Sequence, residues 1–329
     1  MKLSVAMCTY NGEAFIKEQI DSILNQTLPI DEIIVCDDGS KDNTIEILKQ
    51  YASDNPNIFK IFQNEKNLRS VKNFEKAINL CTGDIIFLAD QDDIWTLNKT
   101  EAYVNLFDKN PKIDVIASNG FCIDEKSNVQ EKYAVWDVPE FLSEINLPID
   151  YFRLITHVSN LATGASMAFR KSIVPEIMPF PIIENFHHDE WIAIISSRKK
   201  SFVLLKEKYL YYRIHNNQQV GGVFYSKTEE NKTMLTNIFD LFEKDTSLVV
   251  LKKRLKKLCA SYERNQKIIE NTNVDSSVFE QNLIEIERIF EKISKYKKRK
   301  YPISSFVLNY SDKALNKRQL NKKNKSDEN

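Results

Sequence analysis

Over its first two thirds the chain alternates short apolar runs with longer segments whose apolar residues recur every three or four positions. Residues 2–9 read as a strand, and residues 14–25 as a helix with Ile16, Ile20, Ile23 and Leu24 near one face. Pro29 ends that unit, residues 32–36 form a second apolar strand, and Asp42 or Asn43 is placed to cap a helix reaching Tyr51. Residues 58–62, 71–81 and 85–89 continue as strand, helix and strand. Such alternation predicts an α/β fold, a parallel sheet with helices on both faces. Further on, residues 99–110 read as a helix, 115–124 and 163–169 as strands, and 189–197 as a helix carrying Trp191, Ile192, Ile194 and Ile195. A last strand is expected at 210–214, before the polar loop His215-Asn216-Asn217-Gln218-Gln219. Residues 125–150, with Trp136, keep no steady period, whereas the pattern is helical from about 227 to about 300. No internal repeat is visible. The expected division is an α/β domain over residues 1–225 and a basic helical extension over 226–329.

Candidate chemistry lies where the strands stop. The buried-looking strand 85–89 runs into Asp90-Gln91-Asp92-Asp93, and unpaired carboxylates are costly in a packed interior. They must meet solvent, a donor or a cation. A hard divalent ion uses closely spaced oxygens and commonly bridges to a substrate phosphate; an acidic surface turn is the competing reading of the motif taken alone. Two further polar loops, Thr9-Tyr10-Asn11-Gly12 and Asp37-Asp38-Gly39-Ser40, follow the carboxyl ends of the first and second strands. Open α/β sheets hold ligands at that edge, so three polar loops there predict a nucleotide-sized site.

Composition narrows the class. No apolar stretch of the sequence is long enough to span a bilayer, and the N-terminus enters its first strand without a signal-peptide layout, so a cytoplasmic location is expected. The five cysteines are scattered, without zinc-site or disulfide spacing, and are expected to be reduced thiols. The zero net charge hides a split: residues 1–250 hold 26 Lys+Arg against 36 Asp+Glu, and residues 251–329 hold 20 against 10. An acidic body and a basic tail suggest different partners.

Three segments together resemble the family-2 inverting nucleotide-sugar glycosyltransferases with the GT-A fold: Ser4-Val5-Ala6-Met7-Cys8-Thr9-Tyr10-Asn11-Gly12, Ile33-Ile34-Val35-Cys36-Asp37-Asp38-Gly39-Ser40-Lys41-Asp42, and residues 83–95 through Asp90-Gln91-Asp92-Asp93-Ile94-Trp95. The resemblance covers roughly residues 1–222 and implies a Rossmann-like nucleotide-diphospho-sugar transferase sheet. It implies that Asp38 accepts the imide N–H of a uracil-like or thymine-like base, with Thr9, Tyr10 and Asn11 in the same pocket. Asp90 then contacts the ribose or the metal's water shell, and Asp92 binds a divalent ion, Mn or Mg, that offsets charge on the leaving nucleoside diphosphate. Asp93 is left as a loop or capping residue, with Trp95 packing the turn and Lys99 within reach of a phosphate. His187-His188-Asp189-Glu190-Trp191 resembles the segment supplying the catalytic base, Asp189 first and Glu190 second. Its His-Asp-x-Trp form is similar to enzymes that transfer rhamnose and related deoxy sugars. Gly164 is implied on the donor-sugar side, Arg213 at the diphosphate and His215 at the metal. Arg69 departs from the family, standing where Gly is frequent and leaving the role of Lys72 open.

These implications give a dTDP- or UDP-linked sugar as donor and a glycan or polyprenyl-linked acceptor in surface polysaccharide synthesis. Leu251, Leu255, Leu258 and Tyr262 fall at helical spacing among Lys252, Lys253, Arg254, Lys256 and Lys257. Residues 296–301 are basic and aromatic ahead of Phe306-Val307-Leu308 and Tyr310, a mixture suited to peripheral contact with the inner membrane leaflet. Helices packed on the catalytic domain, with solvated lysines outside, are the alternative. No nucleic-acid recognition motif accompanies the charge. Other readings remain a sugar-nucleotide-forming nucleotidyltransferase, which would ask for a Gly-rich basic loop after the first strand, and a catalytically silent nucleotide-binding module. A Rossmann dehydrogenase is disfavoured, because the seven glycines include no Gly-x-Gly-x-x-Gly.

Overall fold

The structure, a computed structural model, describes residues 1–216, 218, 223–241, 246–306, 312 and 318–320. Asn217, Gln219, Val307, Leu308 and Tyr310, singled out above, lie outside the described residues. In chain order the strands are β1 (Leu3–Thr9), β2 (Glu32–Asp37), β3 (Phe59–Gln63), β4 (Ile85–Ala89), β5 (Ile94–Trp95), β6 (Val115–Ile123), β7 (Val129–Gln130), β8 (Lys132–Tyr133), β9 (Ala168–Arg170), β10 (Phe202–Arg213) and β11 (Tyr225–Ser226). The helices are α1 (Ile16–Leu24), α2 (Thr44–Asp54), α3 (Arg69–Leu80), α4 (Lys99–Lys109), α5 (Val138–Glu144), α6 (Tyr151–His157), α7 (Val174–Ile177), α8 (His188–Arg198), α9 (Glu229–Phe239), α10 (Leu248–Asn271) and α11 (Ser277–Lys300).

Two compact units emerge, one of residues 1–140 with 161–227, the other of residues 141–160 with 228–329. The first holds the main sheet, in the order β3-β2-β1-β4-β9-β6-β10-β5 with β7 on β6. Its first four strands are parallel, as the alternation predicts. β4 is buried along its whole length, because helices cover both faces of such a sheet. The expectation of an all-parallel sheet gives way beyond β4. There the three-residue β9 inserts antiparallel to both β4 and β6, β10 pairs parallel with β6, and β5 antiparallel with β10.

This reversal positions the site. Ala168 lies opposite Phe87, so the residues just before β9 sit beside the carboxyl end of β4. Part of the strand expected at 163–169 is in fact a 3-10 turn, Gly164–Ser166. β6 and β10 both run in the sense of β4, so the end of β10 and His215 reach the same rim. β10 begins eight residues earlier than its apolar pattern suggests, its middle carrying the exposed Lys206 and Glu207. Of the two residues placed to cap α2, the Asn43 side chain does not, whereas Asp42 Oδ1 accepts the Thr44 N–H (3.1 Å).

In the second unit α10 and α11 bury Leu251, Leu255, Leu258, Tyr262, Phe279 and Ile286. Arg254 is not on the solvated face expected of it. It is fully buried, and its Nε donates to Asn237 O. Residues 151–157, within a stretch the apolar pattern left without a helical assignment, form α6, whose Thr156 O accepts from Asn265 Nδ2 (3.0 Å). Among the described residues no helix is long and apolar enough to cross a membrane.

Candidate active site

At the rim of the first unit lies a cavity of about 530 Å³, lined by residues of all three polar loops together with Gly164, Asp189 and His215. Hydrogen bonds brace the loops to one another. Tyr10 N–H donates to Gln91 Oε1 (2.8 Å) and Gln91 Nε2 returns a bond to Tyr10 O (3.0 Å). Gly12 lies against the same amide, where a Cβ would stand 2.3 Å from Gln91 Oε1. Asn11 sits at φ +50°, a left-handed conformation that Asn tolerates. Its Oδ1 accepts the Lys41 N–H (2.8 Å), and its own N–H donates to Ser40 Oγ (2.9 Å).

Asp37 is a scaffold residue: Oδ1 accepts the N–H groups of Gly39 (3.0 Å) and Ser40 (2.9 Å), and Oδ2 the hydroxyls of Thr9 (2.9 Å) and Ser40. Thr9 thus lines the cavity while its hydroxyl is committed to Asp37. The neighbouring carboxylate, Asp38, lines the cavity and gives Oδ1 to Asn64 Nδ2 (2.6 Å) and the Leu68 N–H (2.9 Å). These bonds fix its orientation. Arg69 next to this clamp is left-handed at φ +61°, the conformation for which glycine is the natural choice. Lys72 Nζ is paired with Glu75 (2.9 Å).

Asp90 and Asp92 both face the cavity, and Asp92 Oδ2 lies 2.9 Å from His215 Nε2. Burial, then the negative charges of Asp92 and Asp189, push the Asp90 carboxyl up to about 7. A cation here would favour its ionised form. Among the described residues no group of three or more His, Cys, Asp or Glu side chains stands at ligating geometry. The Asp92–His215 pair fits an ion that takes the rest of its shell from diphosphate oxygens and water, as Mg²⁺ habitually does.

Asp93 points away, 1% exposed, with Oδ1 accepting the Arg213 N–H (3.0 Å); burial pushes its pKa well up. Arg213 departs from the diphosphate role implied for it. Fully buried, it donates through Nε to Asp92 O (2.7 Å), through Nη1 to Asp124 O (3.1 Å) and Ser127 Oγ (2.9 Å), and through Nη2 to Glu18 Oε2 (3.0 Å), with Phe15 stacked at 4.6 Å. Five donors in a rigid fork suit it to tie loops together. Lys99 likewise does not line the cavity. Its ammonium donates to Ala165 O (2.8 Å) above the Trp95 ring (4.0 Å), and burial lowers its pKa to about 7 against the pull of Asp93 and Asp90.

Asp189 lies in the first turn of α8, one oxygen accepting the Gly164 N–H (3.1 Å) and the other the Glu190 N–H (2.7 Å). It faces the cavity; Glu190 does not. His188 is 6% exposed, stacked on Phe74 with centroids 4.1 Å apart, and neither ring nitrogen has a hydrogen-bond partner among the described residues. Burial lowers its pKa to about 4, so it is a neutral ring at pH 7. A Cβ on Gly164 would come 2.9 Å from its Nε2, which explains why glycine occupies that position. Trp191 packs behind, its indole N–H donating to Ile177 O (3.0 Å).

Gln91, Asn64, Phe74, Trp136 and Tyr212 complete or brace the site without having been assigned to it from sequence. Only Gln91 carried a local signal, its place inside the acidic loop. Trp136 comes from the segment without a period and reaches the cavity by packing against Tyr212, with centroids 5.4 Å apart. All five cysteines are free.

Comparison with known proteins adds three kinds of likeness. The sequence profile described as "Glycosyl transferase family 2" matches residues 4–177. The chain is 31% identical over 217 residues to an uncharacterized glycosyltransferase of Methanocaldococcus jannaschii, covering 65% of this chain and 71% of that protein. It is 28% identical over 230 residues to the dTDP-rhamnosyl transferase RfbG of Shigella flexneri (66% and 74% covered). It is 33% identical over 201 residues to the UDP-Glc:alpha-D-GlcNAc-diphosphoundecaprenol beta-1,3-glucosyltransferase WfgD of Escherichia coli (61% and 72%). In fold it is similar to S. aureus TarS 1–349 in complex with UDP-GlcNAc, with TM-score 0.53, 17% identity and 96% and 93% coverage. It is also similar to the mannosyltransferase PcManGT from Pyrobaculum calidifontis in complex with GDP-Man and Mn²⁺, with TM-score 0.51, 14% identity and 95% and 80% coverage.

Proposed function

The chain belongs to glycosyl transferase family 2 and has the GT-A fold, and from that premise we propose that it transfers a sugar, with inversion, from a nucleoside-diphosphate donor to a glycan or polyprenyl-linked acceptor in surface polysaccharide synthesis. One observation carries the reading: Asp189 faces the same cavity of about 530 Å³ as Asp38, Asp90 and Asp92. Base, ribose and diphosphate would lie along the braced loops. Asp38, held by Asn64 and Leu68, keeps an oxygen for the imide N–H of the base, and Asp90 serves the ribose. Asp92 and His215 would hold Mn²⁺ or Mg²⁺, which when bound stabilises charge on the departing diphosphate.

Asp189 takes the proton of the acceptor hydroxyl as that oxygen attacks the anomeric carbon opposite the leaving group. Its two hydrogen bonds from backbone N–H groups keep it aimed. Arg213 and Lys99 enter as scaffold rather than phosphate ligands, because both are fully buried, outside the cavity lining, and bonded to groups that hold the loops. The His188-Asp189-Glu190-Trp191 segment, together with the likeness to a dTDP-rhamnosyl transferase, makes dTDP-linked rhamnose the first donor to try, and UDP-linked glucose or galactose the next.

The test is a donor panel with Mn²⁺ or Mg²⁺, read as nucleoside diphosphate released and as the anomeric configuration of the product. An inverted linkage from one donor is expected. A retained linkage would refute inversion, and synthesis of a sugar nucleotide from a nucleoside triphosphate and a sugar phosphate would establish the nucleotidyltransferase reading instead. Failure to bind any nucleoside diphosphate would refute both.

A further inference from the structure

The second unit carries a basic surface whose residues are not among those lining the candidate site. Along α11, Lys292, Lys295, Tyr296 and Arg299 line a groove of about 300 Å³. Their spacing of three, four and seven places them on one helical face. The Tyr296 ring is half-buried between cations, with the Arg299 guanidinium 6.0 Å and the Lys300 ammonium 5.8 Å from its centroid. Lys298 and Lys300 add exposed positive charge in the last turn, while Lys297 turns inward at 3% exposure. From residue 292 to 306 the sequence contains no Asp or Glu.

The chain leaves this face through a short helical turn, residues 302–306, that holds two large apolar side chains in solvent: Ile303 is 82% and Phe306 80% exposed. Neither is needed for the core, which is closed by Phe279, Ile286, Ile289 and Ile293.

We infer that this face of α11, with Ile303 and Phe306, docks on an anionic bilayer surface. The cations meet lipid phosphates, Tyr296 sits at headgroup level, and the two apolar side chains enter the acyl boundary. Charge alone would suit any polyanion. Two adjacent apolar side chains in solvent single out a surface with an apolar layer beneath its phosphates. The contact is peripheral, since no described helix can cross a membrane. It does not rest on the sugar-transfer reading, and the two can fail separately.

The experiment is co-sedimentation of the full chain with vesicles of phosphatidylcholine alone or with one quarter phosphatidylglycerol, at low and high salt. Binding is expected to the mixed vesicles at low salt, to fall as salt rises, and to be absent on phosphatidylcholine. Replacing Lys292, Lys295 and Arg299 together by Gln should weaken partitioning at least about tenfold. Ile303→Ser with Phe306→Ser should weaken it on the same vesicles while leaving binding to heparin unchanged. The Asp92→Asn protein should bind vesicles as wild type does, whatever its activity. Wild-type protein that stays in the supernatant with anionic vesicles at low salt overturns the inference. So does equal binding by the Ser double variant, which would mark the face as a site for soluble polyanions. If the Gln variant does not fold, as judged by circular dichroism, the wild-type dependence on salt and lipid composition decides.

Discussion

Replacing Asp189 by Asn separates the base from the scaffold. Both carboxylate oxygens accept backbone N–H groups, Gly164 at 3.1 Å and Glu190 at 2.7 Å. An asparagine keeps the volume but turns one acceptor into a donor, so whichever way the amide faces, its NH₂ meets an N–H. One hydrogen bond is lost and a donor is left facing another, at a cost of about 1–3 kcal/mol. The melting midpoint should therefore fall by a few degrees. Loss of the base is a separate and larger effect, a drop in kcat of about 10²–10⁴. The assay is steady-state release of nucleoside diphosphate at saturating acceptor, with donor KM and thermal melting measured on the same protein. Donor KM should change by no more than about threefold, since the interaction removed belongs to the transition state. Asp189→Ala, which has no NH₂ to oppose Gly164, should lose as much kcat. Turnover by Asp189→Asn at the wild-type rate would refute the assignment of the base, however the stability moved.

Three further outcomes are expected. Asp92→Asn should raise the Mn²⁺ concentration for half-maximal activity by at least the roughly 10–100-fold typical of losing an outer-shell partner; an unchanged activation curve would place the ion elsewhere. Gly12→Ala would put a Cβ 2.3 Å from Gln91 Oε1, break the reciprocal Tyr10–Gln91 bonds and raise donor KM, and adding Gln91→Ala should recover part of the loss, read as a coupling in a double-mutant cycle. Glu32 reports on stability: burial opposes its charge, but hydrogen bonds from Ser4, Thr82 and Lys60 outweigh this and hold its pKa at about 2, below its ordinary 4.5. The unfolded chain then binds the proton more readily, so stability of roughly 3 kcal/mol is present above pH 4.5 and lost as pH falls toward 2. Glu32→Gln should flatten that part of the stability profile measured by denaturant titration, and an unchanged profile would contradict the sign.

The sequence by itself determined the elements and the rim. Apolar period and strand-end polarity are local properties, so β1, β2 and β4 and the three loops after them were legible within a residue or so, as was the alternation that sets the first four strands parallel. The resemblance of those loops also carried the family. Tertiary structure decided which strands are neighbours beyond β4. Three residues, Ala168, Phe169 and Arg170, do not state their direction, yet the antiparallel insertion of β9 is what brings Gly164 to Asp189. It also decided which polar side chains remain available to a ligand. Arg213 and Lys99 have the right chemistry for a phosphate, but both are buried outside the cavity lining and bonded to Asp92 O, Asp124 O, Glu18 and Ala165 O, groups 66 to 195 residues away in sequence. A hydrogen bond satisfied across such a separation leaves no trace in a local pattern, and only the folded chain shows that Asp38, Asp90, Asp92 and Asp189 face the cavity while Asp37 and Asp93 hold it in shape.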